Sequence, residues 1–441
     1  MIERRGFVAG LTALVLAAPE ARAMGRVPIG GKLRFRVPWR LSSIDPHDLH
    51  DPVAAIFGSA IADPVYARDP AGRVYPSLAD GMPFVEAGET LVKLRPDLRT
   101  AKGRGLSGHD LAWSIKRCRA RAAGGLFAQT TPFVHSFRDR PLVVGFGEAD
   151  PKRLAFLLSA PTSALLPAGF SPHRPDGTGA LVARPAGSSL FLSRNRNASR
   201  GPSFLEAIQV DGAASINDSL RAFETKRDDI GWLGLGLHGR RRGALRFDRG
   251  VMGWALLATG KRAGKWGMPG LAQRLANQVS IGRLGVGVSG GGNGGGGGWQ
   301  GDPANLIYDS AHPQLRLIAD AVAAKLTSPG HEVTAVPVSG ATLRAARRSG
   351  DYTLAIDFTR SLQLPGTTGL ALATAEKHSL GVEMGKRKRW PDGAARALTA
   401  GRRIGVLGTI RLAGGTAPGI LLAGRADGRG ISWGGSYRSR Y

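Results

Sequence analysis

The chain has a single cysteine, Cys118, in 441 residues. Intramolecular disulfides are therefore excluded, and the fold must be held by packing and hydrogen bonding alone. Acidic residues are scarce, with 33 Asp and Glu against 60 Lys and Arg, a formal charge of +27. Such an excess attracts anionic polymers, acidic membrane surfaces or acidic ligands without choosing among them. The basic residues are spread along the chain, and only "HGRRRG" (238–243) and "GKRKRW" (385–390) are dense clusters. This pattern predicts a generally basic solvated surface and no nucleic-acid partner. Long apolar runs are missing after the first two dozen residues, so no integral membrane segment is expected beyond them. A repeat at a solenoid period is absent. "PHDLH" places His47 and His50 at H-x-x-H spacing without further clustered ligands, which reads as surface polar residues, and no metal or other cofactor is expected.

What is present begins with a leader. "MIERRGFVAGLTALVLAAPEARA" (1–23) has a charged start, an apolar run from Phe7 to Ala18 and a small-x-small end at Ala21-Arg22-Ala23. This is the pattern of an export signal, and Arg4-Arg5 before Gly6-Phe7 resembles its twin-arginine variant, with Glu3 where Ser or Thr is usual. With no cysteine at the cleavage site, the expected product is a soluble, monomeric periplasmic protein rather than a lipoprotein.

The length exceeds what one core usually fills, and the local patterns are mixed α/β. "GGKLRFRVPW" alternates as an edge or half-buried strand would, and a helix is expected over about Asp51 to Tyr66. Turns are expected at Asp69-Pro70-Ala71-Gly72 and at Ala87-Gly88. Ser107 with Asp110 three residues on reads as a capping box, its hydroxyl accepting from the Asp110 N–H, with Leu106 and Leu111 as a hydrophobic staple. Asp150-Pro151 starts another helix. Leu315, Ile318, Val322 and Leu326 mark one helix face, followed by strands at Val333–Val338 and Tyr352–Phe358. The run "VSGGGNGGGGGWQG" (288–301) predicts a long surface loop.

Catalytic patterns fail on context. "GVSGG" satisfies G-x-S-x-G, and Ser289, Asp357 and His378 follow in hydrolase order, but a polyglycine run cannot hold the strained turn a nucleophile needs. "GRGLSGHD" lacks the lysine and serine of a phosphate loop. No enzyme is predicted.

Seven short segments, in order, resemble the family 5 extracellular solute-binding proteins, the oligopeptide, dipeptide and nickel receptors of bacterial ABC importers. They are "GGKLRFRVPWRLSSIDPH" with its Ile44-Asp45-Pro46 turn, "ADPVYARDPAGRVYPSLADG", the "LRP…L…D…S…R" residues Leu94, Arg95, Pro96, Leu106, Asp110, Ser114 and Arg117, "PDGTGALV", "LSRNRNASRGPSFLEAIQVDG", "AFETKRDDIGWLG" and the reduced "LAIDFTRS". The resemblance implies a two-lobed α/β receptor with an extra domain on the first lobe and a hinge of two crossing strands near "GALRFDRGV" and "GRRIGVLG". It divides the chain into a first lobe (30–44, 165–244, 405–441), an extra domain (45–164) and a second lobe (245–404). The implied partners are a peptide-like or other small ligand and an ABC permease with its ATPase. The candidate ligand-binding residues are Tyr66, Thr178 and Asp357, together with Trp232, Trp254 and Trp299. Aromatics line binding clefts, and these tryptophans, like Trp266, fall near the implied hinge or on the second lobe, with core or lobe packing as the alternative for each. Peptide-binding members use a late carboxylate for the ligand's amino terminus, and Asp357 is the nearest acid to that position. With that segment reduced and the chain so basic, neutral or acidic ligands are expected over basic peptides. A different reading keeps the fold without transport, the basic surface binding an anionic polymer or an envelope partner.

Overall fold

The structure, a computed structural model, describes residues 29–120, 134–147, 149–232, 241–268, 270–280, 288–289, 298–368, 403–425 and 429–439. The leader, most of the glycine run, His378 and the 385–390 cluster lie outside the described residues. In the first part of the chain the elements are β1 (Lys32–Val37), α1 (Pro52–Ile61), β2 (Tyr66–Arg68), β3 (Val74–Pro76), β4 (Phe84–Glu86), β5 (Glu89–Lys93), α2 (Gly108–Ala120), β6 (His135–Ser136), β7 (Val143–Gly145) and α3 (Pro151–Leu157). There follow β8 (Leu181–Ala186), β9 (Ser189–Arg194), β10 (Ala207–Gly212), α4 (Ile216–Glu224), β11 (Ile230–Trp232), β12 (Leu245–Thr259), α5 (Leu271–Asn277) and β13 (Val288–Ser289). The last part contributes β14 (Ala304–Asp309), α6 (Pro313–Leu326), β15 (Val333–Val338), α7 (Gly340–Ser349), β16 (Leu354–Arg360) and β17 (Ile404–Thr416).

Two halves of one curled sheet are joined by β12 and β17. Its order is β15-β14-β16-β12-β17-β11-β1-β10-β9-β8, with β13 added on β17. The start of β12 pairs with the end of β17 beside β11, and the rest of β12 runs between β16 and the start of β17. Between these stretches the register slips at Asp248/Val251, where Gly250 takes φ 83°, open to glycine at no steric cost. The two crossing strands implied by the motifs are thus long antiparallel partners that belong to both lobes.

β1 is interior rather than an edge. It runs parallel to β10 and meets β11 on its other side. Its alternation still sets the face, with Leu33, Phe35 and Val37 buried. The first helix is shorter than the expected span: α1 stops at Ile61 because Asp63-Pro64 follows, and Tyr66 already opens β2. Asp51 caps α1 by accepting from Val53 and Ala54 N–H. The Ala87-Gly88 turn has both residues at positive φ (52° and 78°), the primed geometry that matches strand twist. The small sheet β4-β5-β7-β6 carries α2 on one side, and their shared core includes Leu106, Leu111, Ile115 and Cys118. In the second lobe, Leu315, Ile318, Val322 and Leu326 of α6 are buried as their spacing predicts.

Candidate functional site

The interlobe cavity is built from a stitched loop on one wall and helix starts on the other. Pro38 ends β1, and Trp39 and the loop to Asp51 pass along the edge of the second lobe. Asp45 pairs bidentately with Arg117 at 2.8 Å on both oxygens and also accepts from His47 N–H. Asp51 spends one oxygen on its helix cap and the other on the Asp45 N–H. Arg360 of β16 reaches back to the Pro46 carbonyl, and its N–H bonds the Leu49 carbonyl. On the facing wall, β14 ends at Asp309, His312 precedes Pro313 at the start of α6, and Ser339 caps α7. Between the walls lies a cavity of about 560 Å³. Its ionisable lining comprises Arg40, Asp45, Asp48, His50, Asp51 and His173 from the first wall and Asp309, His312, Arg344 and Asp357 from the second.

Besides the Arg360 bonds, the walls meet at Trp39 and at His50. The buried Trp39 indole N–H donates to Gln314 Oε1 at 3.0 Å. His50 Nδ1 donates to the Phe358 carbonyl at 2.8 Å and lies 3.2 Å from Asp357 Oδ2. Asp357 also accepts from its neighbour's N–H, at Phe358, and has Arg347 Nε at 3.6 Å. Burial works against charge on the His50 ring, but the Asp357 charge and hydrogen bond outweigh it and carry the imidazole up to about 9. Burial raises Asp357 less than His50 and Arg347 lower it, so its carboxyl stays below the usual range. Burial first, then the Asp48 charge, push Asp51 up to about 7. His312 moves the other way, its charged form disfavoured mainly by burial.

Of the candidate ligand-binding residues whose side chains are described, Asp357 alone lines this cavity. Tyr66 is buried in the hydrophobic cluster beside the small β4-β5-β7-β6 sheet, with its hydroxyl on the Gly81 carbonyl. Thr178 exchanges two hydrogen bonds with Asp63, accepting from its N–H and donating to its carboxylate. Trp254 and Leu256 on one face of β12 join the same cluster as Tyr66, while Ala255 and Leu257 on the other face join the main core. Trp299 is 1% exposed in that main core, its indole N–H on the Asp302 carbonyl. Trp232 sits on β11, and its side chain and that of Trp266 are outside the described residues. His47 and His50, expected at the surface, are instead interior: His47 is fully buried with Nε2 on the Ala164 carbonyl, and His50 faces the cavity. The reason is tertiary, since β16 and the 164–166 segment fold over a loop that looks solvent-exposed in sequence. Arg40, Asp48, Asp309, His312 and Arg344 carried no local signal. A second cavity, of about 610 Å³, lies on the first-lobe side, among Asp63, Arg194, Arg200, Phe204, Arg425 and Trp433.

No family model matches the chain, and no curated protein matches it by sequence. Solved structures match in fold over nearly its whole length. The oligopeptide-binding protein AppA from Bacillus subtilis, in complex with a nonapeptide, is 10% identical and aligns over 94% of this chain and 100% of its own with a TM-score of 0.72. Peptide-bound OppA from Listeria monocytogenes is 13% identical over 93% and 99%, with a TM-score of 0.70. AgaA from A. tumefaciens R10, in complex with agropinic acid, is 14% identical over 93% and 99%, with a TM-score of 0.65. With an α/β sheet in two halves, a pair of crossing strands between them and a cavity where the halves meet, the chain has the two-lobed fold of the family 5 extracellular solute-binding proteins.

Proposed function

We propose that the protein is an exported, non-catalytic solute receptor that closes its two lobes around a small ligand and delivers it to an ABC permease and its ATPase. The observation that carries this reading is the interlobe cavity itself. Ligand-competent charges reach it from both walls, and the walls meet through Trp39–Gln314 and His50–Asp357. A ligand touching both lobes stabilises the closed arrangement by its differential affinity for it, which is how binding in a hinged cleft becomes a signal to a transporter. The fold neighbours that bind peptides, or agropinic acid, support a solute class without fixing which. In this reading the motif-derived division holds, with residues 30–44, 165–244 and 405–441 as the first lobe, 45–164 as the extra domain and 245–404 as the second lobe. The leader sends the chain to the periplasm as a monomer.

The test is small-angle scattering and unfolding temperature of the mature protein against a metabolite and short-peptide library. A saturable hit that compacts the particle and raises the unfolding temperature is expected. Absence of any such hit, with steeply salt-dependent adsorption to a polyanion such as heparin instead, would overturn the receptor reading in favour of polymer binding.

A further inference from the structure

The interlobe cavity carries four formal charges that make no ion pair with a charged partner among the described residues: Asp48, Asp309, Arg40 and Arg344. Resting on the receptor reading above, we infer that the ligand is a compact amphoteric acid: its protonated nitrogen sits at Asp48 and its acid groups face Arg40 and Arg344.

Several charged groups on the cavity wall are already matched. Asp45 is matched by Arg117, and Asp357 by His50 and Arg347. Asp51 is committed to the α1 cap and the Asp45 N–H. Asp309 accepts from the Ala311 N–H and lies 3.6 Å from His312, whose ring burial keeps neutral, so it has no charged partner there. Asp48 stands on the opposite wall. One of its oxygens accepts the His50 N–H at 2.8 Å, and the carboxylate makes no ion pair among the described residues. Its field favours the charged forms of His50 and Arg360, neither of which it meets in an ion pair, and with those of Asp309 and Asp357 it acts on His312 across the cleft. That ring is kept neutral by burial and so supplies no counter-charge. A protonated nitrogen brought to Asp48 would find an anion in a partly desolvated site, where a charge-assisted hydrogen bond is strongest.

Arg40 and Arg344 stand on opposite walls of the same cavity, and neither makes an ion pair among the described residues. Each presents a planar fork suited to a carboxylate. A ligand bearing acid groups there would tie the first wall to the second, which a simple amine could not do. An extended peptide fits poorly. Asp357, the acid nearest the family's amine anchor, is occupied by His50, and the Trp39–Gln314 bridge crosses the cleft. A cavity of about 560 Å³ matches a small-molecule site.

The test is calorimetric titration of the mature protein with a matched set of probes. Glutamate and N-(1-carboxyethyl)alanine are the amphoteric acids, succinate lacks the nitrogen, putrescine lacks the acids, and hexa-alanine is the extended peptide. At least one amphoteric acid is expected to bind saturably, and tighter than the other three classes. Asp48→Asn should weaken it at least about tenfold while leaving succinate unchanged, and Asp48→Glu should recover part of the loss. Arg40→Ala and Arg344→Ala should weaken both acids. The unfolding temperature of each variant identifies misfolding, and the Asp48→Glu rescue keeps the test decisive if Asp48→Asn is unstable. Tighter binding of putrescine or hexa-alanine would overturn this inference while sparing the receptor reading, as would an unchanged affinity in Asp48→Asn. No binding of any probe, together with no hit in the broader library, would overturn both.

Discussion

Asp110 and Asp357 are both buried carboxylates, 2% and 6% exposed, but their partners come from opposite ranges of the sequence. Asp110 sits in the first turn of α2 and accepts from the Ser107 N–H and hydroxyl, from Arg104 and from the Ala168 N–H. Three of those four donors lie within six residues of it. The capping box formed in one direction only: the Ser107 hydroxyl donates to Asp110 instead of accepting from its N–H. Asp357 is held by His50 and Arg347, and His50 arrives from the other lobe. A carboxylate saturated by its own neighbourhood has nothing left for a ligand and reads as architecture. One balanced across the cleft couples the lobes, and its charge state becomes a property of closure.

The largest effect expected from breaking this contrast is Asp110→Ala. Losing the acid leaves two backbone N–H groups and Arg104 without their acceptor, and stability should fall by about 3–5 kcal/mol, read as a lower urea midpoint with an unchanged slope. Ligand affinity in the folded fraction should not move, because Asp110 does not line the cavity.

The cross-lobe carboxylate predicts a pH dependence instead. His50 rises from an ordinary value near 6.5 to about 9, so the folded state binds the extra proton. Its contribution is fully present below 6.5 and is lost as pH rises through 9, a decrease on the order of 3 kcal/mol. Asp51, raised to about 7, adds a loss of the same sign between its unfolded value of 3.8 and 7. Thermal unfolding across pH 6.5 to 9.5 should slope downward in the native protein and flatten in His50→Gln; an equally steep variant would show that another group titrates.

A smaller effect tests whether the "GTG" motif is architecture like Asp110. A Cβ at Gly177 would meet the Ile61 carbonyl oxygen at 2.2 Å, and one at Gly179 the Ala60 oxygen at 2.3 Å. Gly179→Ala should therefore cost about 1–3 kcal/mol by overpacking, with ligand affinity preserved. Smallest is Trp39→Phe, which deletes one cross-lobe hydrogen bond of about 1 kcal/mol and should shift the ligand-free protein toward the open form about fivefold, visible as a larger radius of gyration.

Much of the fold was legible because its cues act over a few residues. Asp51 and Asp150 each cap the helix that follows, the primed turn forms at Ala87-Gly88, and the apolar face of α6 is where its spacing put it. For Trp254 and Trp299 the sequence leaves cleft lining and core packing both open, and both are packed in cores. Trp254 and Trp299 are large apolar bodies, and burial in a core stabilises such side chains whether or not a cleft is near. "PHDLH" misled because polar residues in a loop look exposed until another segment covers them, and here β16 covers His50 while the Ala164 carbonyl receives His47.

Caps, turns and alternation depend on the chain's own next few residues, and the order of weak motifs along the chain was enough to imply a two-lobed receptor. The makeup of the cavity was not so determined. Arg40, Asp48, Asp309, His312, Arg344 and Asp357 are separated by up to some three hundred positions and have no shared spacing. Which carboxylates are neutralised and which remain for a ligand depends on where Arg117, His50 and Arg347 come to rest. Charge compensation acts through space over a few ångströms, so only the packed chain could decide that a strongly basic protein would line its cleft with five aspartates.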